Sequence, residues 1–351
     1  MKRHSLLQRQ KKKSNVFIIF IIVCISLVLS FLVFNLIINS KYKKVRSNEA
    51  FNRAMDMINY VWDYNDENYK ILPPDIKLPY FLSSSGRYIG IPYCYGGQTS
   101  LKDSNLEGVS GFEDGLNKGF VPGNINTKVG YVDNTIGVDC SGFVNVVFNI
   151  KERTSTRTMD KYFKEINLKK LKPMDILNSK GKHVYIYLGK TNKGVMILES
   201  TSNGDKKYKD KTVVNYKSAS EFKKDIESRG YVPMRYKNIK FTEHIKLYDK
   251  YEYNNSEKNA YIAKLNENIS SEIDYLEDVD YYLYKNVKEP FKIKFKEFSN
   301  INIKVYNNKS SIEIKDPIET LINLKGNVYI KIEKGNNLNN NSKYSFKAMN
   351  S

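Results

Sequence analysis

The stretch from Val16 to Ile38, "VFIIFIIVCISLVLSFLVFNLII", runs 23 residues without a charged side chain. As a helix rising 1.5 Å per residue it is long enough for a bilayer core of about 30 Å. The apolar run exceeds the roughly 7 to 15 residues of a cleaved signal peptide, and no small-x-small site closes it. The expectation is therefore an uncleaved transmembrane helix over residues 16–38, behind a cytoplasmic tail of residues 1–15. Lys2, Arg3, Arg9, Lys11, Lys12 and Lys13 precede it, while Lys41, Lys43, Lys44 and Arg46 follow. That balance favours an N-terminus held inside. The expected localisation is the cell membrane, single-pass, with the body of the chain extracellular.

Composition bears on partners. The formal net charge is +19, which invites a nucleic-acid reading. Residues 1–46 hold ten basic side chains and no acid, so the remainder carries 47 basic against 38 acidic residues. No dense basic stripe runs through that remainder, and a solvated basic surface is the plainer reading than a nucleic-acid site. Outside a membrane, a surface of this kind suits anionic wall polymers.

After the apolar run, Phe51, Ala54, Met55, Ile58, Val61 and Trp62 recur at helical spacing, which predicts an amphipathic helix packed on a core. Pro73, Pro74 and Pro79 end helical structure. Residues 86–135 are rich in turn signals and read as a long irregular wall or lid. A helix opening at Cys140 follows, then a second helical stretch over Met159 to Leu168. "HVYIYLG" and "GVMILEST" read as a hairpin, and Ser218 to Ser228 as a helix. Near Tyr236 the composition turns polar. Beyond it Phe291, Ile293 and Phe295, then Ile301, Ile303 and Val305, then Val328, Ile330 and Ile332 alternate with polar residues, as in a small antiparallel sandwich. The expected division is a body at 47–236, a linker at 237–262 and a β-sandwich at 263–351.

The segment "GVDCSGFVNVVF" places Cys140 at the mouth of that helix. A thiolate is the nucleophilic form of cysteine, and the unpaired N–H groups of a helix N-terminus favour negative charge. A lone cysteine is more often buried and inert, so a base is needed to make the functional reading. Of the three histidines, His4 lies in the tail and His244 in the linker, which leaves His183. Hairpin parity puts Glu199 and Thr201 on the face that His183 shares. Either could orient the imidazole, the third role in a triad.

These residues resemble a known family. "YCYGG", "DCSGFV", "KPMDIL", "HVYIYLG" and "MILEST" are similar to the NlpC/P60 cysteine peptidases of bacterial cell walls, over roughly Ser47 to Tyr236. The resemblance implies an α+β, papain-like fold and cleavage of peptidoglycan stem peptides, commonly between D-glutamate and a diamino acid. It implies Cys140 as nucleophile, His183 as base and Glu199 as orienter. Tyr93 matches a tyrosine near the nucleophile, and Asp139 and Ser141 match positions that help hold the free amine end of a stem peptide. The chain departs from the pattern at Tyr95, where a tryptophan is usual, at Met174, where a glycine is, at Tyr185, usually smaller, and at Glu199 in place of the commoner histidine. A further 41 residues separate Gly97 from Asp139. The C-terminal part, through "EDVDYYLY" and "GNVYIKIEKGNNLNNNSKYSFKA", resembles the prepeptidase C-terminal (PPC-type) β domain.

The expected fold is thus an α+β, papain-like NlpC/P60 domain followed by a small antiparallel β-sandwich and preceded by one transmembrane helix. The expected activity is membrane-anchored, extracellular peptidoglycan endopeptidase, with the stem peptides as partner and the apolar helix as membrane partner. Alternatives are an N-acetylmuramoyl-L-alanine amidase with the same triad, or a non-catalytic wall-binding scaffold. Cys94 reads as a small buried residue. No His, Cys or carboxylate spacing suggests zinc, so no metal is expected in the catalytic site and no cofactor.

Overall fold

The computed structural model describes residues 21–33, 43–204, 209–242, 245, 249–315, 318–338 and 342–351. His4 and His244 lie outside them, as do the whole tail of residues 1–15 and both ends of the apolar run. Strands hold 38% of the described residues and helices 20%, with the strands distributed over several sheets. The fold is therefore mostly β. This corrects the expected α+β class, since no papain-like core is evidenced.

Two expected helices account for part of the difference. The helix Ser47–Ile58 stops short of Val61 and Trp62, which lie in a strand, Val61–Tyr64, paired with Gly86–Ile89. The Trp62 indole donates to Gly90 O at 2.9 Å, so its apolar ring packs as strand rather than helix. Over residues 159–168 a 3-10 turn, Met159–Lys161, and a short strand, Phe163–Glu165, stand where a helix was expected, and Leu168 opens a second 3-10 turn, Leu168–Lys170.

The transmembrane expectation is corrected too. Among the described residues no helix is long and apolar enough to cross a membrane. A single-pass membrane placement is not supported.

The first sheet has strands β1 (Phe163–Glu165), β2 (Ile176–Ser179), β3 (His183–Lys190), β4 (Gly194–Thr201), β5 (Lys211–Ser218) and β6 (Tyr231–Tyr236). Their order is β5-β4-β3-β2-β6-β1, every pair antiparallel. The helix Cys140–Val147 packs across β3 and β4. Its Phe143, Val144 and Val147 join Val184, Ile186, Leu188 and Leu198 in one core. Side chains alternate across a strand, so Tyr185, Tyr187 and Ile197 face a second, smaller cluster with Leu177 and Val195. The helix Ala219–Glu227 contributes Phe222 and Ile226 to that cluster.

Beyond residue 249 two further sheets enclose a separate core. One orders β7 (Tyr261–Ile262), β9 (Val279–Val287), β14 (Gly326–Lys334), β11 (Ile301–Tyr306) and β12 (Ser311–Ile314). The other orders β8 (Asn268–Ile273), β15 (Ser342–Asn350), β10 (Phe291–Phe298) and β13 (Glu319–Ile322). Ile293, Phe346, Ile330 and Ile332, alternate residues of these strands, are buried between them. The two bodies touch at β5. There Lys211 Nζ pairs with Glu277 at 2.7 Å, and the Tyr216 and Tyr253 rings stack at 4.6 Å.

Candidate functional site

Asp139 is the N-cap of the helix that begins at Cys140: its Oδ1 accepts from Gly142 N at 2.6 Å. An aspartate at this position satisfies an N–H that the helix itself cannot. Phe143 N to Asp139 O is the first bond within the helix, so the N–H groups of Cys140 and Ser141 find no intrahelical acceptor. Two contacts fix where this helix start sits. Gly97 O accepts from Asp139 N at 3.2 Å, and Ser200 Oγ in β4 donates to Val138 O at 2.7 Å. The nucleophile candidate is thereby tied to the strand that carries Glu199.

Close approach of Gly97 demands glycine in the helix. A Cβ on Gly142 would stand 2.0 Å from Gly97 O. Gly142→Ala is accordingly expected to lower stability by about 1–3 kcal/mol, the usual cost of overpacking a closed contact. Urea unfolding of the variant beside the parent checks this.

His183 is the first residue of β3, at the end of the sheet. Register Ile186↔Leu198 continues along the hairpin so that His183 and Glu199 share one face. The His183 Nε2 and Glu199 Oε2 lie 2.7 Å apart, with the imidazole 22% and the carboxylate 6% exposed. Cys140 lies near enough for its charge to favour a proton on the imidazole. Burial works against a proton on His183, but the Cys140 and Glu199 interactions outweigh it and raise the pKa from 6.5 to about 10. Glu199 shows the converse. Burial disfavours its charge, yet the hydrogen bond and charge of His183, with Lys217 and Asn215, hold its pKa below the ordinary carboxylate value. Asn215 Nδ2 on β5 donates to Glu199 Oε1 at 2.7 Å, so both carboxylate oxygens are engaged. Thr201 turns elsewhere: its Oγ1 donates to Asn203 O at 3.2 Å and accepts from Asn203 N.

The two described cysteines of the folded bodies differ. Cys140 keeps 8% of its surface, whereas Cys94 keeps none and bonds to Thr135 Oγ1 at 3.2 Å. Burial pushes the Cys94 thiol up to about 12, and both cysteines are free. Tyr93 is buried beside the site. Its phenol pKa is raised by burial first, then by the charges of Cys140 and Asp139. Asp139 and Ser141 are engaged internally. Ser141 Oγ donates to Asp139 Oδ1 at 2.9 Å, and Asp139 Oδ2 accepts from Gly96 N at 3.0 Å and from Arg153 Nη2 at 2.5 Å. Arg153 and Asn215 complete the site without any motif that marks them in the sequence.

A second polar cluster lies in the other body. Ligand atoms of Glu252, Asp278 and Asp280, all buried, fall within 4.8 Å of one another. Burial raises all three carboxyl pKa values, and the charges of neighbouring acids add to the rise for each. Asn255 Nδ2 donates to Asp278 Oδ1 at 2.9 Å, while the side-chain oxygens of Asn254 and Asn255 find no partner. Carboxylate and amide oxygens suit a hard divalent cation such as Ca2+ rather than zinc. Calcium at a hundredfold excess over its Kd is expected to stabilise the fold by about 2.7 kcal/mol. Thermal melts with calcium and with chelator check it, and Asp278→Asn should remove the difference.

No family model matches the chain, and no curated protein matches it. Among solved structures it is similar to the pre-peptidase C-terminal domain of collagenase from Bacillus anthracis, at 18% identity over 24% of this chain and 89% of that chain, with a TM-score of 0.19. The likeness is weak and carries no argument about the chemistry. NlpC/P60 membership finds no support in these comparisons, nor do they by themselves support peptidase activity.

Proposed function

We propose that the chain is a thiol hydrolase acting on peptide bonds of cell-wall stem peptides, with residues 47–236 as the hydrolase body and the β-sandwich beyond residue 249 beside it. The observation that carries the reading is the thiol, imidazole and carboxylate series of Cys140, His183 and Glu199 at the start of a helix, with its 2.7 Å imidazole to carboxylate contact. Cys140 Sγ attacks the substrate carbonyl carbon, and the Cys140 backbone N–H helps hold the oxyanion. His183 gives its proton to the leaving amine, which departs as the thioester forms. The imidazole then takes a proton from water, whose oxygen attacks the thioester and frees Cys140. Glu199 holds the ring in place and steadies its charged form.

The substrate class is supported by the resemblance of "DCSGFV" and "HVYIYLG" to wall peptidases, and the bond between D-glutamate and the diamino acid is the first candidate. Mass spectrometry of products from defined stem peptides and from muramoyl peptides tests it. Release of a fragment beginning with the diamino acid is expected. Release of an intact stem peptide beginning with L-alanine marks an amidase instead, and no product from either substrate overturns the reading.

A further inference from the structure

We infer that a cavity at the far end of the Cys140 helix binds a small organic monocarboxylate with an apolar body, held by the Arg53 guanidinium. The cavity measures 420 Å³ and lies between the helix Ser47–Ile58, the loop at residues 98–105 and the chain that leaves the helix Cys140–Val147. That volume falls within the roughly 300–1,000 Å³ of small-molecule sites. The helix rises about 10 Å from its first residue to its last, so an occupant at this end stands clear of the thiol. The inference goes beyond the hydrolase reading and does not depend on it.

Arg53 carries the argument. Its Nε donates to Val147 O at 2.7 Å, while its Nη2 is buried with no hydrogen-bond partner among the described residues. An N–H group shut away from water without an acceptor is costly, and here it belongs to a side chain that lines a cavity. Burial lowers the Arg53 pKa, and Glu49, Asp56 and Tyr236 offset this in part, so a further negative charge beside the guanidinium is favoured. Acceptors in the wall are already committed. Gln98 Nε2 donates to Ile150 O at 2.9 Å and to Lys151 O at 3.3 Å, and the Asp103 carboxylate pairs with Lys151. Charge then sets the class of ligand. The lining holds Arg53, Lys102 and Lys151 against Asp56 and Asp103, an excess of one positive charge. A monoanion neutralises it, whereas a dianion such as phosphate overshoots beside two carboxylates. The guanidinium fork also matches the plane of a carboxylate. Leu101, Val146 and Ile150 give the cavity an apolar wall, which suits an organic body rather than an inorganic ion.

The probe is N-acetylleucine, with its neutral C-terminal amide as the isosteric control, and titration calorimetry on the full chain reads the binding of each. The acid is expected to bind at least about tenfold more tightly than the amide, and inorganic phosphate more weakly than the acid. Arg53→Gln should erase the preference for the acid. Lys102→Glu, at an exposed position, turns the excess charge of the lining negative and should weaken acid binding by about tenfold or more. Cys140→Ala should leave both affinities unchanged. Equal affinity for acid and amide, no binding of the acid, or tighter binding of phosphate overturns the inference. So does an unchanged preference in Arg53→Gln or in Lys102→Glu. Loss of acid binding in Cys140→Ala places the probe beside the thiol and overturns it as well. Arg53 also holds the end of the helix, and should Arg53→Gln not fold, Lys102→Glu beside wild type still decides. Peptide hydrolysis enters none of these readings, so failure of the hydrolase reading leaves the cavity assignment standing.

Discussion

Cys140→Ala is expected to lower stem-peptide hydrolysis by at least about a thousandfold, because no other group at the site can form the thioester. The geometry makes this a clean test. The thiol sits at the first turn of a helix whose cap, Asp139, and whose core residues, Phe143 and Val144, are untouched by removing one sulfur. Stability should stay close to that of the parent, so circular dichroism and the unfolding midpoint serve as controls. A thiol-directed probe near neutral pH should label Cys140 and spare Cys94, which is sealed and held protonated by burial. Cys94→Ala should keep its activity. Full activity in Cys140→Ala would sink the thiol mechanism, whatever the substrate turns out to be.

The parts of this site that the sequence discloses are those set by local physics. A cap lies within three residues of the N–H it serves, so "DCSG" announces both the helix start and the exposed end of its dipole. Hairpin parity has a period of two, and it brings His183 within range of Glu199 without knowledge of the rest of the sheet. Arg153 and Asn215 escape such reasoning. Arg153 reaches Asp139 from a loop, and Asn215 reaches Glu199 from a strand whose register is settled only when β5 pairs with β4. The same limit hides the cluster of Glu252, Asp278 and Asp280, whose members meet through the packing of a whole body rather than through spacing in the chain.

Periodicity misleads where an apolar stripe crosses an element boundary. Phe51 to Trp62 reads as one helix, but the chain turns after Ile58, and Trp62 answers to its strand partner Tyr88. At Met159 to Leu168 the pairing of Phe163–Glu165 with β6 overrides a weak helical pattern, since a strand already in place offers a complete set of hydrogen bonds. Met174 shows the opposite case. It stands at φ 73°, in the left-handed region where glycine is at ease, and its N–H to Tyr187 O bond at 2.8 Å helps hold it there.

Glu199→Gln is expected to slow hydrolysis by about a hundredfold, within the range a positioned acid or base contributes, and to move the alkaline limb of the pH profile toward neutrality. The sign follows from His183. Burial opposes its proton, while the Cys140 and Glu199 interactions favour it and place the folded pKa at about 10 against an ordinary 6.5. A raised pKa of this kind stabilises the folded chain fully below pH 6.5, and the contribution is lost as pH rises through about 10. The imidazolium therefore survives through neutral pH in the wild type. Glutamine keeps a hydrogen-bonding oxygen but removes the carboxylate charge that faces the ring at 2.7 Å. Without it, the desolvation of His183 weighs more heavily and the ring loses its proton at lower pH. Asn215→Leu should shift the limb the same way by a smaller amount, because it strips one hydrogen bond from Glu199 and leaves the charge in place. Rate against pH for the three proteins decides the matter. An alkaline limb that does not move in Glu199→Gln assigns the carboxylate to packing, and a Thr201→Val variant with the larger shift would hand the orienting role to Thr201 instead.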